Sequence, residues 1–404
     1  MDGEVTPNFG REASAQSVRL EPVPELVYPA GGHAGELAAP HNFRAHDVPG
    51  HFVNSSLSWN NVGSITVTPR LVGDSYLGAG DLVEFTPSDP IGRFYPNDFS
   101  LSHASLTPAC GTFSYLGQDA IGVNYTLTAR ALGGGTVSNY DDSLSYVGTA
   151  VVGYVADNGT DGIDLGQRVN VAAAPWVAGR RQVSDASAVF ARQDSGAPDG
   201  PFRALRWGVT LQNERDGRDL SFFNMNASIP GDCNVAGNCT AVALGELDVR
   251  YGRLRLESAY GPEVRDLPVP LYTEYWDGQR FLRALDDSCT SLARSAFQYP
   301  DGTLDNDANR TVAVGAGQST GGYTSLDSTG VQILAGNAGQ VFSAPGQGNT
   351  GRFDIRIDLS AYPWLRFDWN QSGNYDQAFP PPASIGFGSY RGHDRVIYWR
   401  EVFE

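Results

Sequence analysis

The apolar and polar residues along the chain alternate in short runs that turn residues interrupt. Every second residue from Val123 to Ala129 is apolar or aromatic, and the same alternation runs from Leu205 to Leu211. A period of two places such residues on one face of a β-strand. Apolar residues with a period near 3.6 never persist beyond about two turns, so we expect little helix. Two short helices are predicted, over 184–192 and 286–296.

Turn residues between these runs predict how the strands connect. Asp216-Gly217 follows the strand at 205–212 and predicts a hairpin, and Asp277-Gly278 predicts a second hairpin with a type I′ turn. At Gly252 the apolar residues change parity, which indicates a β-bulge or a sharp bend. Further strands are predicted from FDIRIDLS, PWLRFDWN, SIGFGS and RVIYWREV, and the second of these places Leu365, Phe367 and Trp369 on one face.

These elements predict an all-β protein of tandem immunoglobulin-like or other β-sandwich domains, with long loops and little helix. The expected organisation is a flexible lead (1–16), a β-sandwich (17–97), a second β-sandwich (98–241) and a C-terminal β domain (242–404). A weak internal repeat relates residues 64–76 to residues 124–140 and favours two related sandwiches.

Charge and hydropathy exclude several classes of partner. The chain has 404 residues, a formal net charge of −17, and 28 basic residues, all of them arginine. This balance argues against nucleic acid and against an anionic membrane surface as partners. No apolar run reaches the length of about 18 residues that a membrane span needs, so no membrane insertion is expected. The acidic N-terminus does not resemble a signal peptide, so if the protein is exported, we expect this chain to be an excised or processed part of it.

The four cysteines predict disulfides. Cys233 and Cys239 bracket a short loop of small and polar residues, which suits a local disulfide, and Cys110 and Cys289 would then form a long-range one. Four cysteines allow three pairings, and buried free thiols are the alternative. An even number in a strand-rich chain favours an oxidising compartment.

Several long motifs in order resemble a known family. FSYLGQ, NYTLTAR, RYGRLRLESAYGPE, LPVPLYTEYWDG, DDSCT and PPASIGFGSYRGHDRVIYWREVF resemble the C-terminal conserved region of MshQ-like proteins of the mannose-sensitive haemagglutinin type IV pilus system. The resemblance covers roughly residues 90–404. It implies an exported, bacterial surface or pilus-associated adhesin or accessory protein. Such proteins carry a lectin-like sandwich upstream, which this chain lacks, so the resemblance implies a stalk and docking role here.

One loop carries the spacing of a calcium site. In DWNQSGNYD, oxygen donors fall at Asp368, Asn370, Ser372 and Asp376, with Gly373 at the sixth position. Alternate side chains of such a loop point inward towards Ca²⁺, and glycine permits the sharp turn. The twelfth position is Phe379 instead of glutamate, so a further ligand would come from elsewhere. The prediction is a structural Ca²⁺, and the alternative is a turn rich in Asp and Asn.

Other chemistry finds weaker support in the sequence. His33, His41, His46 and His51 have neither helical nor zinc-module spacing and read as loop residues, and the acidic runs 156–166 and 303–311 read as turns. Trp364, Trp369, Tyr375 and Tyr390 are candidates for stacking on sugars. The segment 317–322 is not a nucleophile elbow.

Three functions are therefore carried forward. The first is a non-catalytic stalk and docking module of a pilus-associated adhesin, with pilins or minor pilus components as partners. The second is a glycan-binding or glycan-cleaving module that takes host or surface glycan. The third is a self-associating filament subunit that adds strands to exposed sheet edges.

Overall fold

The computed structural model describes residues 8–73, 75–76, 85–144, 146, 148–159, 161–193, 198–298, 311–314, 323–325, 330–373 and 380–388. Within these ranges the chain is almost entirely β-strand, and its strands form several separate antiparallel or mixed sheets. The predicted all-β fold class is confirmed. Three units follow one another along the chain, and we call them the N-terminal (8–97), middle (98–250) and C-terminal (251–388) units.

Two small sheets build the N-terminal unit, in the orders β4-β3-β1-β6 and β2-β5-β7. Its buried apolar cluster is small: Leu20, Leu37, Trp59 and Ile65. The strands are β1 (Val18–Leu20), β2 (Glu25–Tyr28), β3 (Asn42–Ala45), β4 (Phe52–Val53), β5 (Gly63–Thr66), β6 (Pro69–Leu71) and β7 (Ile91–Phe94).

The middle unit is a sandwich of two four-stranded sheets, β12-β13-β10-β8 and β11-β14-β15-β9. The predicted apolar faces of residues 123–129 and 205–211 lie in its core, and Leu127, Leu205 and Val209 are fully buried. The strands are β8 (Asp98–Thr107), β9 (Ser114–Tyr115), β10 (Ile121–Arg130), β11 (Val151–Asp157), β12 (Val169–Asn170), β13 (Arg180–Phe190), β14 (Phe202–Gln212) and β15 (Val242–Arg250). A short helix, α1 (Cys233–Ala236), and two 3₁₀ turns (Asp142–Leu144, Gly166–Arg168) complete it.

The C-terminal unit has three strands in one sheet (β16-β19-β20), four in another (β17-β28-β27-β22), and several two-stranded ribbons around a separate core. Its first strands are β16 (Gly252–Leu256), β17 (Ala259–Gly261), β18 (Leu267–Pro268), β19 (Leu271–Trp276), β20 (Phe281–Arg283), β21 (Ser291–Ala293) and β22 (Phe297–Gln298). They are followed by β23 (Thr311–Ala313), β24 (Tyr323–Ser325), β25 (Gly330–Gln332), β26 (Val341–Phe342), β27 (Gly351–Ile357) and β28 (Ala383–Phe387). Two 3₁₀ turns lie at Arg294–Ala296 and Pro363–Leu365.

Strand β15 determines where the middle unit ends. It pairs with β14, and its residues Leu247 and Val249 lie in the core of the middle unit. The sequence-based limit between 241 and 242 falls just before this strand, whereas the pairing assigns the strand to the middle sandwich. The parity change predicted at Gly252 is the point where the chain leaves the sheet of β15 and enters the sheet of β16.

Both predicted helices are wrong. Residues 180–190 form strand β13, and residues 286–296 contain a turn, the short strand β21 and one 3₁₀ turn. Alanine and serine in segment 184–192 fit neither the helical period of 3.6 nor the strand period of 2 clearly. Pairing of this segment with β10 therefore determines its structure and overrides its local helix propensity. A strand was also expected at 363–369, but a 3₁₀ turn begins there at Pro363, and the chain continues without a strand to Gly373.

One predicted hairpin is confirmed and the other is wrong. Strand β19 returns through residues 277–280 into β20, although the turn is not type I′, because Gly278 has a positive φ and Gln279 does not. Strand β14 instead pairs with β11 and β15, so the chain after Gln212 crosses a long loop before it returns. The two segments of the expected repeat also differ in structure, because residues 64–71 divide between two sheets whereas residues 121–130 form one continuous strand.

Candidate functional site

The segment CGTFSY, residues 110–115, joins the middle and C-terminal units. Its strand β9 pairs in parallel with the end of β15, in a sheet of the middle unit. Its side chains Cys110, Phe113 and Tyr115 are nevertheless buried in the core of the C-terminal unit. The two cores therefore interlock through one short piece of chain, and we call this region the second junction.

A disulfide closes the second junction. Cys110 is bonded to Cys289, 179 residues later in sequence, with their Cα atoms 5.4 Å apart. The other predicted disulfide, Cys233–Cys239, closes the short loop that contains α1. Both predicted pairings are thus present and all four cysteines are used, so no thiol is available as a nucleophile or a metal ligand.

Asp287 lies beside the Cys110–Cys289 bond and is fully buried. Its carboxylate accepts hydrogen bonds from the Tyr115 hydroxyl at 2.9 Å and the Thr290 hydroxyl at 2.8 Å. The main-chain N–H groups of Cys289 and Thr290 also donate to it, at 3.2 and 3.0 Å. A buried carboxylate needs such partners because it has lost its hydration. Hydrogen bonds to Asp287 thus connect Tyr115, a residue of the middle unit, with the turn that contains Cys289.

The pKa of Tyr115 agrees with this role as a donor. Burial raises the pKa of its phenol well above the usual value, and the negative charge of Asp287 raises it further. The phenol therefore keeps its proton at any physiological pH and donates it to the carboxylate. The arrangement is a structural hydrogen bond and not an acid–base pair poised near neutrality.

Stacked arginine and aromatic side chains form the rest of the second junction. Arg192, from the end of the middle sheet, lies 3.6 Å above the ring of Tyr251 and donates to the carbonyl of Trp364 at 2.9 Å. Arg253 lies 3.6 Å above the ring of Phe281 and forms an ion pair with Glu274 at 2.6 Å. Burial lowers the pKa of Arg253, against the opposing effect of Glu274.

The aromatic rings of this stack come from separate parts of the chain. Tyr251, Phe281 and Phe367 contact one another edge to face, with centroids 5.1–6.4 Å apart. Trp369 stacks edge-on against Phe367 and lies 4.7 Å from the Arg253 guanidinium. The expectation that Leu365, Phe367 and Trp369 share one face of a strand is therefore wrong: Trp369 is half-buried, in a loop, and belongs to this stack. Arg–aromatic contacts of this kind hold surfaces together through geometry as well as charge.

The predicted calcium loop begins directly beside this stack. The Asp368 carboxylate is largely buried and accepts hydrogen bonds from the N–H groups of Ser372 and Gly373, at 2.9 and 2.6 Å. Asn370 also accepts from the N–H of Ser372, at 3.2 Å. These are the bonds of a tight turn rich in Asp and Asn, the alternative weighed for this loop. Asp376 lies outside the described residues, and the calcium site stays a prediction.

The remaining candidates do not converge on one place. Among the described residues, the one cluster of metal-ligating side chains is Cys110, Asp287 and Cys289, whose sulfurs are bonded to each other, so none of the four loop histidines belongs to such a cluster. In the acidic run 156–166, Asp157 is the buried last residue of β11 and forms an ion pair with Arg206, while Asp164, in the loop that follows, accepts from the N–H of Ala156. Trp364 packs half-buried on the C-terminal core. Tyr375, Tyr390, most of 303–311 and all of 317–322 lie outside the described residues.

Sequence reasoning missed the roles of Asp287, Tyr115 and Arg192. Asp287 stands two residues before Cys289, and an aspartate beside a long-range disulfide was the available signal. Arg192 gave none, because its partners Tyr251 and Trp364 are distant in sequence. Among the described residues, no helix is both long and apolar enough to cross a membrane.

Comparisons with known proteins find two domain matches in the chain. Residues 61–240 match the third domain of DUF6701, and residues 250–402 match its fourth domain. No curated protein matches the chain. Among solved structures, the chain is similar to the adhesin InvE of Yersinia pseudotuberculosis, with 10% sequence identity and a TM-score of 0.21. The similarity covers 72% of this chain but 58% of that one, and at this TM-score it carries no argument about function.

The second junction thus lies between the two matched domains, since Cys110 belongs to the third and Cys289 to the fourth. The two matches together cover well over half of the chain, and the chain belongs to the DUF6701 family through its third and fourth domains.

Proposed function

We propose that this chain is a non-catalytic stalk in an extracellular bacterial adhesin, in which the third and fourth domains act as one stiff, force-bearing piece. The observation that carries the proposal is the disulfide between Cys110 and Cys289, which joins the two domains covalently. Domains within a chain usually move relative to one another unless a large interface prevents it. A covalent bond inside interlocking cores suits a segment that must transmit tension without opening.

The same chemistry supports an extracellular location. Disulfides persist in oxidising compartments, whereas thiol buffers reduce them in the cytosol. The second disulfide, Cys233–Cys239, closes an exposed loop and would be reduced there. The motif resemblance to MshQ-like proteins adds a more specific proposal, that the stalk docks onto pilins or minor components of a type IV pilus of the mannose-sensitive haemagglutinin kind.

The stalk proposal is tested by pulling the oxidised chain from its two ends in single-molecule force spectroscopy. The intact Cys110–Cys289 bond shields the intervening residues from extension, so the fully extended chain should be shorter than the reduced chain by about 600 Å, at about 3.5 Å per residue. We expect the third and fourth domains to unfold in one event. Separation of the two domains at low force, before either unfolds, would contradict the proposal.

Attachment of cells tests the biological role. Cells that display the adhesin with Cys110→Ser and Cys289→Ser should attach normally in still medium and detach sooner under flow. Cells with Cys233→Ser and Cys239→Ser are the matched control and should behave as the wild type in both conditions. Equal detachment of the two variants would remove the stalk role. Co-purification of pilins with the wild-type chain tests the docking role separately.

A further inference from the structure

A shallow trough lies on the outward face of the sheet β12-β13-β10-β8, opposite the core of the middle unit. Its volume is about 540 Å³, within the range of small-ligand sites. Short polar side chains line it: Ser102, Asn124, Thr126, Thr128, Gln182 and Ser184. The outward face of an antiparallel sheet is ordinarily polar, so polarity alone does not identify a site. The shape and the charge of this trough distinguish it from an ordinary sheet face.

Strand register brings these side chains into rows across the sheet. Thr126 stands between Ser102 of β8 and Gln182 of β13, and Asn124 stands opposite Ser184. The Ser184 hydroxyl donates to the Asn124 side-chain oxygen at 2.9 Å, which leaves the amide N–H groups of Asn124 to point elsewhere. The rows thus place hydroxyl and amide groups on neighbouring strands, and each group can donate or accept a hydrogen bond.

Both strands that flank β10 are bulged within the trough or beside it. Two residues of β8, including His103, stand opposite Tyr125, and a second irregularity lies in β13 before Ala188. A bulge bends its strand and increases the local twist, so it shapes the outward face. His103 has a φ of 55°, in the left-handed region, and its imidazole lines the trough.

Charge in the trough runs opposite to that of the chain. The molecule carries 45 acidic and 28 basic residues, yet Arg180 lines the trough and no carboxylate does. The Arg180 guanidinium forms no ion pair with the described residues, and it stands on the row of Thr128. A guanidinium in this position offers a fork of N–H donors that matches a carboxylate.

We propose that this trough binds a saccharide that carries a carboxylate. The sugar hydroxyls would pair with the side chains of Asn124, Thr126 and Gln182, which can both donate and accept, while Arg180 binds the carboxylate through two parallel hydrogen bonds. The apolar residues beside the trough, Tyr125 and Val183, are almost fully buried, so the trough offers a peptide no apolar anchor. The proposal is independent of the stalk role. The stalk role depends on the second junction, which contains β9, whereas the trough lies on the other sheet of the middle unit.

Ligand-observed NMR with sialyllactose, which carries a carboxylate, and lactose, which does not, tests this proposal on the full oxidised chain. A shallow and exposed site predicts a dissociation constant of about 1 mM for sialyllactose and at least tenfold weaker binding of lactose. Higher salt should weaken the binding, because the Arg180 contact is exposed to solvent. Trigalacturonate serves as a second acidic probe, with a different sugar framework.

Variants distinguish the trough from other surfaces. Arg180→Gln should weaken binding of the acidic sugars at least tenfold, and Asn124→Ala about fivefold, without a change in thermal midpoint. Arg203→Gln is the matched control, since Arg203 is exposed on a strand of the other sheet, and it should bind as the wild type. The proposal is overturned if neither acidic probe binds, if lactose binds equally well, or if Arg180→Gln and Arg203→Gln behave alike.

Discussion

Two junctions hold the three units of this chain together, and they are built from different interactions. The first junction, between the N-terminal and middle units, combines two side-chain amides, Asn61 and Asn139, with an ion pair between Arg93 and Asp216 at 2.8 Å. Asn139 accepts from the N–H of His33 at 2.7 Å and donates to the carbonyls of His33 and Val62, while Asn61 accepts from the N–H of Asn139 at 2.9 Å. Arginine also lies over an aromatic ring at both junctions, and the second junction adds a disulfide and a fully buried carboxylate.

The difference between the junctions is one of strength and of kind. Hydrogen bonds and ion pairs such as those of the first junction contribute about 1 kcal/mol each, and they separate as soon as the surfaces part. A long-range disulfide stabilises by about 3–5 kcal/mol and cannot separate without reduction. We therefore expect tension or denaturant to detach the N-terminal unit first and to open the second junction last. Each variant below weakens one junction and asks whether the other responds.

Removal of the long-range disulfide should have the largest effect. Cys110→Ser with Cys289→Ser enlarges the conformational freedom of the unfolded chain by opening a loop of 179 residues, so we expect a loss of about 4 kcal/mol in the free energy of unfolding of the second junction. Urea denaturation measures it. Cys233→Ser with Cys239→Ser opens a loop of six residues and should cost about 2 kcal/mol or less. Equal losses would show that the long-range bond has no special part in joining the domains.

Asp287→Asn should have the next largest effect. The substitution removes the charge that strengthens four hydrogen bonds and places amide hydrogens against N–H and O–H donors, for a loss of about 3 kcal/mol. Asp286→Asn is the matched control, since Asp286 is partly exposed and pairs with Arg250 at 2.7 Å, and it should cost below about 1 kcal/mol. The result contradicts this account if the two variants unfold at the same urea concentration.

Asn139→Ala tests the first junction by itself. Asn139 is fully buried, and its loss leaves the N–H of His33 and the carbonyls of His33 and Val62 without this partner, at a cost of about 2 kcal/mol. Hydrogen exchange should become faster in strands β1–β7 and stay unchanged in β16–β20. Asn170→Ala, an exposed change in the middle unit, should alter neither region. Faster exchange throughout the C-terminal unit would show that the junctions are coupled and not separate.

How much of this could be predicted from sequence differs between the two junctions. The alternation from Val123 to Ala129 predicted the middle core, and the short spacing of Cys233 and Cys239 left Cys110 and Cys289 to pair. A period of two and the spacing of cysteines are properties of the sequence alone. Asn139 was not predicted, since an amide that bonds across units looks in sequence like any turn residue. The secondary structure of residues 184–192 is determined by pairing with β10, which is distant in sequence, so a prediction from the local sequence could not include it.

Arg192→Met tests the arginine–aromatic part of the second junction. Methionine keeps most of the apolar length but loses the stacking on Tyr251 and the bond to the carbonyl of Trp364, so we expect a loss of about 1.5 kcal/mol. Arg203→Met, on the exposed side of β14, should be neutral within about 0.5 kcal/mol. If the two variants are equally stable, the stack contributes packing alone, and the disulfide and Asp287 carry the junction.

Calcium should have the smallest effect, and it concerns the loop that follows Phe367 in the same stack. A site with a dissociation constant of about 1 mM, typical of extracellular modules, would stabilise the folded chain by about 1 kcal/mol at a free Ca²⁺ concentration of about 5 mM, and excess EDTA would reverse this. Asp368→Asn should abolish the response, while Asp354→Asn, on the exposed side of β27, should keep it. A thermal midpoint that Ca²⁺ does not change would contradict the calcium site. Asp368 would then only accept hydrogen bonds from the N–H groups of Ser372 and Gly373. A turn without a metal would hold Phe367 and Trp369 in place at the second junction.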